Sequence, residues 1–153
     1  MLVDLDLRKA TLSKALNINA VQGVSSYLNG DIHDLSSVTV NVAKNLDCIP
    51  VGVLPPNPTE LLLSDVFPKM VDELKERYDY IFIDCPPIEI VADSAIVTQY
   101  VDMTLFVARA GLFDKRLMPK INELYEQNKY KHMCIVLNGV KMEYKPYAKA
   151  GNG

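Results

Sequence analysis

The sequence lacks any apolar run approaching the roughly 20 residues that a membrane-crossing helix requires. Its hydrophobic start is broken by Asp4 too early for a secretory signal. Neither sign of charge is in large excess: a formal net charge of -3 provides no basic field for nucleic acid or an anionic membrane. Cysteine is sparse. Cys48, Cys85 and Cys134 stand far apart in apolar runs with no C-x-x-C spacing, which excludes a disulfide framework and a zinc knuckle and predicts small buried thiols. His33 and His132 are isolated from each other and from every cysteine, and read as surface residues. There are no internal repeats and no interdomain linker.

What is present suits one soluble domain. The 153 residues are 49% hydrophobic and 23% charged, enough to bury a real core. Short apolar runs alternate with longer patterned segments, which predicts an α/β fold with a mostly parallel sheet flanked by helices. The predicted strands are Leu2 to Asp4, Leu46 to Val53, Tyr80 to Ile83, Met103 to Ala108 and Met133 to Leu137. Their continuous apolar character suits strands covered on both faces.

Three helices are predicted between them. After "LPPNP", Asn57 is placed to cap, Pro58 suits the first helical position and Glu60 follows three residues after Asn57. Val66, Met70, Val71, Leu74 and Tyr78 form one stripe of a second helix. Leu117, Ile121, Leu124 and Tyr125 form the stripe of a third, closed by the cations of "NKYK". The domain is expected over 1–142, and 143–153 loses periodicity and reads as a flexible tail. Because the chain opens inside a strand, it is expected to lack the first part of its sheet.

Two stretches carry chemistry. "LVDLDLRK" runs an apolar strand into Asp4 and Asp6, with Arg8 and Lys9 following. "YDYIFIDCPP" runs a second strand into Asp84, and Pro86 and Pro87 stop its continuation. In a parallel sheet, ligands bind at the carboxyl ends of the strands, where all three carboxylates would emerge if the two strands are neighbours. Crowded carboxylates repel one another unless a cation such as Mg²⁺ relieves them, and phosphoryl transfer uses such a cation. Taken alone, each stretch is equally compatible with a solvated turn or a carboxylate that caps the following segment.

Together, "LVDLDLRK" and "YIFIDCPP" resemble the Walker A′ and Walker B motifs of the bacterial tyrosine kinases (BY-kinases), deviant P-loop proteins related to the MinD/ParA ATPases. "IPVGVLPPNPTELLLSDVF" between them, and "DMTLFVARAG" and "CIVLNGV" after them, are similar to further segments of that family, so the resemblance spans residues 2–140. It implies a MinD/ParA-like fold missing its first strand, P-loop and first helix. It also implies ATP- and Mg²⁺-dependent phosphorylation of tyrosine, with Asp4 and Asp6 serving the metal and the attacking phenol, and Asp84 holding Mg²⁺. Asn138 falls where related ATPases contact adenine. Arg8 is placed to touch phosphate or a neighbouring subunit, with a surface salt bridge as the alternative, and nothing local fixes a partner for Arg109. Tyr144 and Tyr147 in the tail are the implied phospho-acceptors, whereas Tyr27, Tyr78, Tyr80, Tyr100, Tyr125 and Tyr130 are expected to pack.

The same resemblance implies control of capsular or extracellular polysaccharide synthesis and export. The implied partners are a membrane-embedded polysaccharide co-polymerase component and neighbouring subunits of a homo-oligomer, at the inner face of the cell membrane. No G-x-x-x-x-G-K-[ST] occurs anywhere in the sequence, so this chain alone is expected to bind ATP and transfer phosphate poorly. The alternatives are a MinD/ParA-like ATPase, for which acceptor tyrosines have no use, and a non-catalytic interaction module.

Overall fold

The apolar opening forms β1 (Leu2–Asp4), whose central Val3 is completely buried. In the computed structural model, which describes residues 1–87 and 93–141, β1 lies between β3 (Leu46–Ile49) and β4 (Phe82–Asp84), parallel to both. β2 (Val40–Ala43) completes this sheet antiparallel to β3, giving the order β2-β3-β1-β4. The β2–β3 turn uses Asn45 at φ 60°, a left-handed conformation that asparagine tolerates better than most residues.

β3 stops at Ile49, short of the predicted Val53, because Pro50 and the left-handed Gly52 turn the backbone away. The start of α2 (Val24–Leu28) docks on this exit. The amides of Val24 and Ser25 donate to the carbonyls of Pro50 and Val51 at 2.8 and 3.0 Å. α1 (Thr11–Ala15) precedes it.

α3 (Pro58–Leu62) begins at Pro58 as expected, but Asn57 does not cap it through its side chain. Its amide donates instead to Glu60 Oε2 at 2.9 Å, so the backbone N–H groups of the first turn are not its partners. α4 (Val66–Arg77) buries Phe67, Met70, Val71 and Leu74, the spacing of one helical face. α5 (Asp93–Val97) follows the Walker B-like segment. All these elements belong to a first compact unit, Met1–Val101, whose core joins Val3, Leu5, Leu7, Val24, Ile49, Val51, Leu62 and Phe67 among others.

The second unit starts at Asp102. β5 (Thr104–Arg109) and β6 (Met133–Asn138) pair in parallel over their whole length, linked through α6 (Met118–Glu126). Ala108, Ile121, Leu124, Tyr130 and Met133 are buried here. The expectation of strands covered on both faces fails for β4, β5 and β6: Phe82, Leu105, Val107, Ile135 and Leu137 are all exposed. Among the described residues of the second unit, two strands, α6 and a short helical turn at Lys115–Leu117 are too few elements to sandwich a sheet. The expected end of the domain at 142 falls outside the described residues.

Among the cysteines only Cys48 is buried, where desolvation pushes its thiol up to about 11; Cys85 is half-buried and Cys134 exposed. Both histidines are exposed, as expected. Tyr80 and Tyr125 are exposed rather than packed, while Tyr27 and Tyr130 are buried. No helix among the described residues is long and apolar enough to cross a membrane.

Candidate functional site

Strand register decides where the acidic residues meet. Asp4 is paired directly with Asp84 across β1 and β4, and the Leu5 amide donates to the Asp84 carbonyl at 2.8 Å. In-register residues of adjacent parallel strands share a face, with backbones about 4.8 Å apart. Both strands end here, so the two carboxylates stand side by side at the carboxyl edge of the sheet.

The chain then turns tightly. Lys9 and Ala10 donate their amides to the Asp6 carbonyl at 3.1 and 2.8 Å, and Ala10 takes a left-handed φ of 52°. For a residue with a Cβ this conformation is disfavoured by roughly 1–2 kcal/mol. The turn brings α1 back onto the carboxylates. Asp4 is completely buried: its Oδ2 accepts the backbone N–H of Ser13 at 2.7 Å and the Ser13 hydroxyl at 2.6 Å, and its Oδ1 accepts the Asp6 amide at 3.2 Å. Asp6, only 4% exposed, accepts Thr11 Oγ1 on Oδ2 at 2.9 Å and the Lys9 amide on Oδ1 at 3.2 Å.

Asp84 differs from the other two. Partial burial of its carboxyl, then the negative charges of Asp4 and of Asp6, push its pKa above the ordinary value. The residue as a whole remains exposed, so solvent moderates the effect. This crowding is the condition that a hard cation relieves. Among the described residues no three Asp, Glu, His or Cys side chains form a ready metal cage. Mg²⁺ in general keeps several waters and takes one or two carboxylates together with substrate phosphates. Asp84 is exposed, whereas Asp4 and Asp6 are buried and each already accepts hydrogen bonds on both oxygens, so Asp84 is the member most open to such an ion.

Arg8 is exposed, and its guanidinium reaches Thr59 Oγ1 of α3 at 3.5 Å, placing it beside the "LPPNPTELL" segment. Asn138 ends β6 in the second unit, and its side-chain oxygen accepts the Gly139 amide at 2.8 Å, a turn contact. Arg109, paired in register with Asn138, is exposed. Tyr144 and Tyr147 lie outside the described residues. Thr11 and Ser13 were not singled out by sequence reasoning. Their signal is a T-x-S spacing that follows D-x-D closely enough to fold back on it.

The chain is 36% identical over 155 residues to the tyrosine-protein kinase CpsD of Streptococcus agalactiae, across 99% of this chain and 67% of that protein. The chain belongs to the bacterial tyrosine-protein kinases. It is also similar to the kinase domain of the Escherichia coli tyrosine kinase ETK, with a TM-score of 0.82 and 32% identity over 99% of this chain and 60% of that one. MinD of Pyrococcus horikoshii OT3, solved with Mg-ADP, matches with a TM-score of 0.66 over 89% of this chain and 56% of that one. At 21% identity that likeness shows the fold alone, which is the expected deviant P-loop type. No protein-family profile matches. This kinase chain spans about two thirds of the length of the CpsD relative.

Proposed function

We propose that this chain carries the acidic half of a phosphoryl-transfer centre that moves the γ-phosphate of ATP to tyrosine. The observation that carries the reading is the register of Asp4 with Asp84, with Asp6 two residues on. Asp84 and Asp6 are the residues that would hold Mg²⁺, which when bound offsets charge on the transferring phosphate. Asp6 is also the carboxylate placed to take the proton of an attacking phenol, whose free pKa near 10 otherwise leaves it a weak nucleophile at neutral pH. Asp4, closed off from solvent, contributes negative charge and holds the turn. Arg8 supports phosphate or subunit contacts at the same edge, Asn138 contacts adenine, and Tyr144 and Tyr147 are the acceptors.

The lack of G-x-x-x-x-G-K-[ST] supports weak nucleotide binding and little transfer by these 153 residues alone. The protein's role in capsular or extracellular polysaccharide synthesis, its homo-oligomer, its membrane-embedded co-polymerase partner and its place at the inner membrane face rest on the family resemblance.

The test is incubation of the full-length protein with radiolabelled ATP and Mg²⁺, followed by phosphoamino-acid analysis and peptide mapping. Phosphotyrosine at Tyr144 or Tyr147, lost in Asp6→Asn and Asp84→Asn, is expected. Free phosphate without phosphotyrosine would make the protein an ATPase instead. Phosphate on other tyrosines only would remove the acceptor assignment.

A further inference from the structure

We propose that Thr11 and Ser13 are positioning residues of this centre, each hydroxyl holding one member of the acidic pair; the inference rests on the kinase reading above. The pattern is reciprocal. Two carboxylates two residues apart at the end of β1 meet two hydroxyls two residues apart on α1, Ser13 on Asp4 and Thr11 on Asp6.

Ser13 is buried, and its oxygen also accepts the Val51 amide at 3.2 Å. With that lone pair engaged, its single proton goes to Asp4, so the bond has one direction. Three segments converge on it: the end of β1, the first turns of α1 and the exit from β3. Asp4 is thereby fixed against rotation toward any ligand.

Thr11 reports on function more directly because it is exposed. A threonine at a helix start ordinarily caps the helix by accepting a backbone N–H. Here the N-cap position is Ala10, no side chain caps α1, and the Thr11 hydroxyl donates instead to Asp6. The exposed hydroxyl could bond water instead, but Asp6 is only 4% exposed and its Oδ2 would lose this donor, so the contact serves folding as well as orientation. Its consequence is local: it leaves Asp6 one preferred orientation at the carboxyl edge. Outer partners of carboxylates that serve a metal typically matter by about 10–100-fold in affinity or activity when removed.

The experiment compares Thr11→Val, which keeps shape and loses the donor, with Thr11→Ser, which keeps the donor. Both are made in the full-length protein, and single-turnover transfer from ATP is measured across Mg²⁺ concentrations alongside thermal melting. Thr11→Val is expected to slow transfer by about 10–100-fold or to raise the Mg²⁺ requirement by a similar factor. Thr11→Ser, which keeps the donor, should recover to within about threefold of the wild-type rate and should restore any melting temperature lost in Thr11→Val. Wild-type rates for Thr11→Val, or equal losses in both variants, would overturn the positioning role while leaving the kinase reading intact. A wild-type protein that forms no phosphotyrosine would overturn the kinase reading itself, and the inference with it. Ser13→Ala, which strips a buried amide and a buried carboxylate of partners, should lower transfer and melting together; unchanged transfer would remove Ser13 from the proposal.

Discussion

Gly23 is the position where one added methyl should do most damage for least change in chemistry. A Cβ built there would sit 2.2 Å from the Pro50 carbonyl oxygen, 2.5 Å from the Gly52 nitrogen and 2.6 Å from the Val51 carbonyl carbon. All three are backbone atoms, so no side chain can swing aside. Real Cβ contacts essentially never fall below 3.0 Å, so the two segments must separate by at least 0.8 Å. The Gly23 φ of -178° is ordinary extended backbone, and the whole penalty therefore comes from proximity. Separation stretches three bonds: Val24 N to Pro50 O, Ser25 N to Val51 O and Val53 N to Val21 O, now 2.8, 3.0 and 3.1 Å. At about 1 kcal/mol for each net hydrogen bond, Gly23→Ala should destabilise the chain by about 3 kcal/mol. Urea unfolding followed by circular dichroism measures this, and hydrogen exchange should show lost protection at Val24 and Ser25. A loss below about 0.5 kcal/mol, within the range of neutral surface changes, would refute the close approach of α2 to the β3 exit.

Phe67, fully buried and in edge-to-face contact with Tyr100 at 5.4 Å, should cost about 3–5 kcal/mol as Phe67→Ala in the same urea assay, and a loss under about 1 kcal/mol would contradict its central packing. Asn57→Ala should change stability by less than about 0.5 kcal/mol, because the side chain contacts exposed Glu60 rather than the helix backbone. A loss near 1 kcal/mol would indicate a working cap. The Asp84 carboxyl is held above its ordinary 3.8 by burial and by Asp4 and Asp6, so its stabilising contribution is full below that value and is lost as pH rises through the folded pKa. Asp84→Asn should therefore melt higher than wild type at pH 7, by an amount that solvent screening keeps small, and the difference should close as pH falls toward 3.8. Lower melting of the variant at pH 7 would contradict the crowding.

Elements with a strong local signature were legible in the sequence. The runs ending in Asp4 and Asp84 are strands, and the stripes through α4 and α6 face inward at Met70, Val71, Leu74, Ile121 and Leu124. α1 and α2 are five residues each, too short for a 3.6-residue period to register. β2 was missed although "VNVA" alternates and "KN" supplies a turn, because four residues of alternation are weak against loop composition. The side chain of Asn57 illustrates a different limit. Sequence spacing identified the helix start, but whether an asparagine bonds the backbone or a neighbouring glutamate depends on its φ, ψ and rotamer, which spacing does not encode.

The D-x-D pattern was ambiguous between a solvated turn and a cation site, and the structure shows why composition could not separate them. Asp4 satisfies a buried turn through Ser13 and the Asp6 amide, and Asp6 does so through Thr11 and the Lys9 amide, which accounts for carboxylates at both positions on structural grounds alone. That account does not extend to Asp84, which receives destabilising charge from both Asp4 and Asp6. A turn that needed only hydrogen-bond acceptors could place an asparagine at the end of β4 and avoid the repulsion. Retaining three carboxylates at one sheet edge is the kind of local destabilisation that functional sites carry. The opposite signs expected for Gly23→Ala and Asp84→Asn follow from this: the first removes a fit on which the fold depends, and the second relieves a strain that at neutral pH a bound cation would otherwise offset.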